Sequence, residues 1–285
     1  MNGRLPRVCV TGATGYLGQR VLAGLRDMGI PAVACPSRRE GCDLTHLQSV
    51  IDYFSRENFT AVIHCAAVVP KSAKDYADGA AGAASLRMTE NIVAAGVPHV
   101  VFTSSMTVYR DGLLLPVRED DADQEAKGYG GYKLQAERAL CAADHLKTTI
   151  LRLPGLFGPP RESGLLYNAA IEFSKGRLPA LRPPFPMWAA MHIDDAADLL
   201  CRAVRRPPAN SRVLNAGYLD SMSVTRTVSQ LAAKFGIDMP EGEARAFRMD
   251  VTELEKELGS PLNTLDARLD ELARSVRRAE EPVCA

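Results

Sequence analysis

The stretch that most constrains this chain is VTGATGYLG, residues 10–18, where Gly12, Gly15 and Gly18 fall between a β-branched run and a helical pattern. RVCVT (7–11) has strand character, and Tyr16 to Met28 repeats apolar residues at helical spacing until Gly29 ends it. Glycines at such a junction allow a tight turn, close approach of backbone to a pyrophosphate, and packing of helix on strand. The helix N-terminus then offers its free amides to the phosphates. This pattern predicts a dinucleotide site lined by Gly12, Thr14, Gly15, Tyr16, Leu17 and Gly18.

The rest of the first half alternates in the same way. PAVAC (31–35), TAVIHC (60–65), HVVFTSS (99–105) and TTILRL (148–153) read as strands. Between them lie DLTHLQSVIDYFS with Asp43 as its N-cap, an Ala-rich helix over 75–95 stopped by Gly96 and Pro98, and a helix over Tyr129–Asp144. The expectation is an α/β fold, a Rossmann-type doubly wound parallel sheet with helices on both faces.

Beyond Pro154 prolines cluster at 159, 160, 179, 183, 184 and 186, and the pattern becomes irregular. HIDDAADLLCRAV (192–204) reads as a helix capped by Asp194, RVLNAG (212–217) as one more strand, and helices close the chain near 224–235 and 265–276. The expected division is a dinucleotide-binding domain over 1–155, with return segments near 192–217, and a smaller, mainly substrate-binding C-terminal lobe over 156–285.

Composition narrows the function classes. The 285 residues are 46% hydrophobic and carry 34 basic and 34 acidic side chains, so nothing favours a nucleic-acid partner. No apolar run approaches a membrane span, and MNGRLPRVCV lacks a secretory h-region. Seven cysteines without a CxxC pair read as reduced thiols of a cytoplasmic protein. The five histidines have no metal-ligand spacing, so no metal is expected, and His64 and His192 read as structural. The acidic run Glu119, Asp120, Asp121, Asp123 and Glu125 reads as a solvated loop.

The end of the second strand bears on the cofactor. An NAD site wants an acid there for the ribose hydroxyls, and this chain has Pro36-Ser37-Arg38-Arg39. Two guanidinium groups and a hydroxyl suit a 2′-phosphate, which favours NADP over NAD. Asp43-Leu44 falls where an adenine contact is expected, although Asp43 also serves as a plain cap.

KGYGGYKLQAE (127–137) holds two tyrosines beside one lysine. Tyr129 and Lys133 are four apart and share a helix face, whereas Tyr132 is turned about 100° from its neighbour Lys133. A nearby ammonium lowers a tyrosine's pKa toward a useful acid–base range. Ser105, 24 residues before Tyr129, ends the fourth strand and can reach the same substrate oxygen. The candidate triad is therefore Ser105, Tyr129 and Lys133. Tyr132 reads as a packing or pocket-edge residue.

In this order, TGATGYLG, HCAA (64–67), SSMTVY, YGGYK, RLPGLFGP (152–159), HIDDAAD and VLNAG resemble the extended short-chain dehydrogenase/reductase family, the NAD(P)-dependent epimerase/dehydratase group. The resemblance implies that the triad is catalytic. It also implies that Cys65, Ala66, Ala67, Pro154 and Gly155 line the cofactor, and that a homodimer packs through helices including that of Tyr129. Met106-Thr107 stands where the family's dehydratases carry Asp-Glu, which argues against dehydration. The family's usual Asn before the fourth strand is replaced within Ala81–Ala84. Gly155 and Trp188 replace an Asn and an Arg that touch a substrate diphosphate in its epimerases, leaving Arg161, Arg177 or Arg182 as substitutes. Met106, Thr107, Asn168 and Trp188, with Tyr167, Phe185 and Met187 beside them, are the substrate-side candidates.

The function expected first is an NADP-dependent ketoreductase acting on a sugar-like or polyoxygenated small molecule. A nucleotide-sugar epimerase with tightly held NAD(P) is the alternative. A non-catalytic NADP-sensing regulatory protein stands third, disfavoured by the intact triad.

Overall fold

The computed structural model describes residues 6–69, 75, 80–110, 113, 116–181, 188–240 and 247–280. Six parallel strands form its centre: β1 (Val8–Thr11), β2 (Ala32–Ala34), β3 (Ala61–His64), β4 (His99–Ser105), β6 (Lys147–Leu153) and β9 (Arg212–Asn215), in the order β2-β1-β3-β4-β6-β9. From β1 the chain goes outward to β2 and returns on the other side to β3. The switch in winding direction therefore lies between β1 and β3, where a crevice opens at the carboxyl edge. The strands predicted from the sequence all form: His99–Ser105 with the expected bounds, Lys147–Leu153 one residue longer, and the others trimmed by one or two residues.

Alternation along the strands divides the core between the two faces. Val8, Val10, Ile63, Val101 and Leu151 pack on one side with α1 (Tyr16–Asp27), α5 (Leu165–Ser174), α6 (Ile193–Arg205), α7 (Val224–Lys234) and α9 (Leu265–Glu280). Cys9, Val62, Val100, Phe102 and Ile150 pack on the other with α2 (Leu47–Glu57) and α4 (Gly128–Cys141), beside α3 (Ala80–Ala94). Buried on both faces, these strands read as continuous apolar runs, as in other parallel sheets.

Short elements that the sequence does not announce complete the chain. β7 (Gly155–Phe157) pairs with β8 (Ala190–His192), and β5 (Pro116–Val117) with β10 (Arg248–Met249), just before α8 (Thr252–Leu258). Strands of two or three residues carry too little periodicity to be seen in a sequence.

Two predicted caps are corrected. Asp43 does not cap α2: its carboxylate accepts from the amide and hydroxyl of Thr45, at 2.9 and 2.6 Å, and His46 is the N-cap. Asp194 does not cap α6 either, because the ring of His192 accepts from its amide at 3.3 Å. Asp194 and Asp195 occupy the first turn instead, where the helix dipole favours them.

The acidic run is more than a solvated loop. Glu119 is half-buried; its carboxylate accepts from the Asn215 amide at 2.8 Å and its carbonyl from Arg152 at 2.6 Å. Six cysteines are free thiols among the described residues. No helix there is long and apolar enough to cross a membrane.

Candidate active site

A cleft of about 790 Å³ runs along the carboxyl edge of the sheet. The glycine turn forms one wall. Gly12 has φ +66°, and a Cβ on it would lie 2.7 Å from the Ala66 amide nitrogen. A Cβ on Gly18 would lie 2.1 Å from the Gly12 carbonyl oxygen. Only glycine permits this turn to close against β3 and α1. Gly15 is the N-cap of α1, without a side-chain cap and with no acid in the first turn, so the leading amides of α1 are left for an anion. Gly12, Thr14, Gly15, Tyr16, Leu17 and Gly18 all line the cleft, and this uncapped N-terminus fits a dinucleotide's pyrophosphate.

The next wall is a loop held by a buried histidine. His64 hydrogen-bonds Thr11 at 2.7 Å through Nδ1 and Thr89 at 3.2 Å through Nε2. Thr11 accepts from the Ala66 amide at 3.2 Å, and Ser85 from the Val68 amide at 2.9 Å. Ser85, one residue past the Ala81–Ala84 segment, thus anchors the loop that presents Cys65, Ala66 and Ala67 to the cleft. Burial, with the Lys133 charge adding to it, drives the His64 pKa down to about 3, so the ring is neutral and structural.

At the far end of β2, Ser37, Arg38, Asp43 and Leu44 line the cleft. Arg38 is exposed and pairs with Asp43 at 3.0 Å. Arg39 is exposed and is not part of the cleft wall.

Ser105, Tyr129 and Lys133 meet at the other side, beside Pro154 and Gly155. Lys133 is buried and donates to the Thr103 carbonyl at 2.7 Å, with its Nζ 4.6 Å from the Phe102 ring centroid and 5.7 Å from that of Tyr129. Burial lowers the lysine's pKa to about 8, opposed by Cys65 and Glu137. Ser105 accepts from the Thr107 amide at 3.2 Å and from its hydroxyl at 2.9 Å, which leaves the serine proton to be donated elsewhere.

Behind the triad lies a network that the motifs do not predict. Glu137 accepts from Ser104 and from Arg152 at 3.1 and 2.7 Å, and Arg152 also donates to Tyr109 at 2.9 Å. Buried charges need such partners, and these lock α4 to β4 and β6. The one signal in the sequence is a glutamate four residues after Lys133, on its helix face.

Tyr132 is half-buried and packs on α3, where a Cβ on Gly82 would lie 2.4 Å from its ring. It is absent from the cleft wall, and Tyr129 is in it. Met106 and Thr107 line the cleft; Asn168 and Trp188 do not. Asn168 is exposed on α5, and Trp188 packs against the larger core, as does Tyr167. Arg161 lines the cleft, and Arg177 is engaged with Glu172 outside it. Arg182, Phe185 and Met187 lie outside the described residues.

His192, Asp194 and Glu271 place ligand-type atoms within 4.8 Å of one another. Both carboxylates are already met by guanidinium groups, Asp194 by Arg20 at 3.2 Å and Glu271 by Arg268 at 2.6 Å. The cluster is an ion-pair network at the base of α6.

The profile of the NAD dependent epimerase/dehydratase family matches residues 8–217. A UDP-glucose 4-epimerase from Azospirillum brasilense is 30% identical over 277 residues, covering 82% of this chain and 79% of that protein. A UDP-glucose 4-epimerase from Neisseria gonorrhoeae is 27% identical over 286 residues, covering 82% and 84%. Among solved structures, MoeE5 in complex with UDP-glucuronic acid and NAD aligns with a TM-score of 0.74 and 27% identity, over 95% of this chain and 99% of MoeE5. With its profile matched from β1 past β9 and its cleft at the winding switch, this chain belongs to the NAD dependent epimerase/dehydratase family, as an NAD(P)-dependent enzyme of the extended short-chain type.

Proposed function

We propose that the protein is a nucleotide-sugar epimerase acting on a UDP-sugar, inverting a secondary alcohol through a transient ketone. The observation that carries this reading is the one cleft shared by the glycine turn, Ser105, Tyr129 and Lys133, in a chain matched over 82% of its length by UDP-glucose 4-epimerases. It displaces the ketoreductase expectation from first place, because the relatives that match over 81–82% of this chain are UDP-glucose 4-epimerases.

Residues 12–18, 37–38, 43–44 and 65–67 would hold the nicotinamide dinucleotide, which when bound supplies reversible hydride acceptance. Tyr129 would take the proton of the reacting hydroxyl and return it to the same oxygen. Ser105, held as a donor by Thr107, would hydrogen-bond that oxygen throughout. Lys133 would hold the ammonium charge beside Tyr129 that favours the tyrosinate.

The test is to incubate purified protein with UDP-glucose, UDP-galactose and their N-acetyl and uronic-acid forms, following inversion by NMR. Inversion without added cofactor, with oxidised dinucleotide released on denaturation, is the expected result. No inversion of any of them, with net NADPH consumption on a keto-sugar, would overturn it.

That outcome would restore the reductase, which one observation favours. The end of β2 offers Ser37 and Arg38 to the cleft where an NAD site wants an acid. On the same ground we assign NADP as the preferred cofactor. A homodimer through α3 and α4 completes the proposal, to be checked by light scattering.

A further inference from the structure

The wall behind the triad encloses three charged side chains. Lys133 is 4% exposed, and Glu137 and Arg152 are each 3% exposed, so two cations share one acid in a buried region. Arg152 is tied to Glu137 by two bonds, of 2.7 and 3.1 Å, and a guanidinium does not give up its proton. Lys133 is the cation of the set that can discharge. Glu137 lies four residues further on, along the same face of α4.

Among the described residues no second carboxylate faces Lys133. β4 contributes the Thr103 carbonyl and the Phe102 ring, and α4 the Tyr129 ring. α3 presents Ser85, Leu86 and Thr89 across a small void. From the end of β3 come His64, whose pKa burial drives down to about 3, and Cys65, whose thiol burial pushes up to about 12. Both are uncharged where Lys133 titrates, near 8. Glu137 is thus the acid that opposes the cost of burying the ammonium.

The same carboxylate reaches the serine. Ser104 donates to it and precedes Ser105 at the end of β4. On the other side of Ser105, the Tyr109 hydroxyl accepts from Arg152 at 2.9 Å. Both flanks of the segment that carries Ser105 are therefore fastened to one ion pair, rooted in the helix of Tyr129 and Lys133.

We propose that Glu137 is a positioning residue for the reaction, serving as the buried counter-charge of Lys133 and tying the Ser105 segment to α4. This rests on the reading of Ser105, Tyr129 and Lys133 as the catalytic set, and it holds for an epimerase and a reductase alike. Removing the carboxylate charge leaves two buried cations, so Lys133 sheds its proton at a lower pH and the tyrosinate loses its support.

Turnover is measured across the neutral and alkaline range with the UDP-sugar or keto-sugar that the parent uses, in Glu137→Gln, Arg152→Gln and Ser104→Ala. NMR titration of the Lys133 side chain, assigned through Lys133→Met, gives a readout free of turnover. Glu137→Gln should lower kcat about tenfold and leave KM within about twofold. It should also move the alkaline limb of kcat and the Lys133 titration down together by about one pH unit. Arg152→Gln releases Glu137 from its competing cation and should move the titration up, which keeps the test open where Glu137→Gln does not fold. Ser104→Ala keeps every charge and should lower kcat about threefold with the titration unmoved. A Lys133 titration that stays in place in either charge variant would overturn the counter-charge, and parental kcat in Ser104→Ala would overturn the tie. Full turnover in Lys133→Met would remove the catalytic reading of Lys133, and this inference with it, whatever Glu137 does.

Discussion

Gly130 lies against Thr107 so closely that a Cβ on the glycine would sit 2.0 Å from the threonine's carbonyl oxygen. The first turn of α4, which carries Tyr129, is thereby set flush on the turn that follows Ser105. Neither partner has a flexible group to yield, since the contact is with backbone. Gly130→Ala should therefore separate Tyr129 from Ser105. We expect a loss of about 1–3 kcal/mol in stability and a fall of about 100-fold in turnover. Urea titration and steady-state kinetics measure the two effects; full activity in the variant would show that this contact does not set the geometry.

The two tyrosines should respond in opposite ways. Tyr129→Phe removes the hydroxyl from the cleft wall and should lower turnover by about 10²–10⁴-fold with little change in stability. Tyr132→Phe should leave turnover unchanged, because that ring packs on Gly82. Tyr132→Ala should cost about 2 kcal/mol through the void it leaves between α3 and α4. Similar kinetic defects in both phenylalanine variants would defeat the assignment of Tyr129.

Arg38 tests the cofactor. Its guanidinium is 81% exposed and shared with Asp43, so its removal should not disturb the fold. Arg38→Ala is expected to weaken NADPH binding about tenfold while leaving NADH nearly unchanged. Fluorescence titration with both dinucleotides decides it, and equal losses would discard the phosphate-clamp idea.

Acid should destabilise the protein in part through His64. Its pKa in the folded chain lies near 3, below the ordinary 6.5, because burial penalises the imidazolium. Between these values the unfolded chain binds the proton and the folded chain does not. The contribution of His64 is thus fully present above pH 6.5 and is lost as pH falls toward 3. In His64→Gln, the slope of unfolding free energy against pH in this window should drop by about 1.4 kcal/mol per unit. Denaturant titrations at pH 6.5, 5.5 and 4.5 measure it; identical slopes would mean that the histidine is protonated in the folded state.

The parts of this architecture that rest on local regularity are legible in the amino-acid sequence. A glycine turn between a strand and a helix, strands alternating with helices, and a tyrosine and lysine four apart all follow from backbone geometry within a few residues. The helix caps of α2 and α6 are not legible in this way, because aspartate satisfies several local hydrogen-bond patterns and the surrounding chain chooses among them. The two-stranded pairs β5–β10 and β7–β8 leave no trace in the sequence because strands this short exist only through their partners.

The sequence by itself thus determined the winding of the sheet, the position of the dinucleotide turn, and Ser105, Tyr129 and Lys133 as candidates. Which neighbours those residues meet was decided only by the tertiary structure: Thr107 on Ser105, the Thr103 carbonyl on Lys133, Gly82 under Tyr132, and Tyr16 beneath Arg161. Periodicity is written along the chain because each residue's direction depends on its own backbone. Contact between segments far apart in sequence depends on how whole elements pack, and no single segment encodes that.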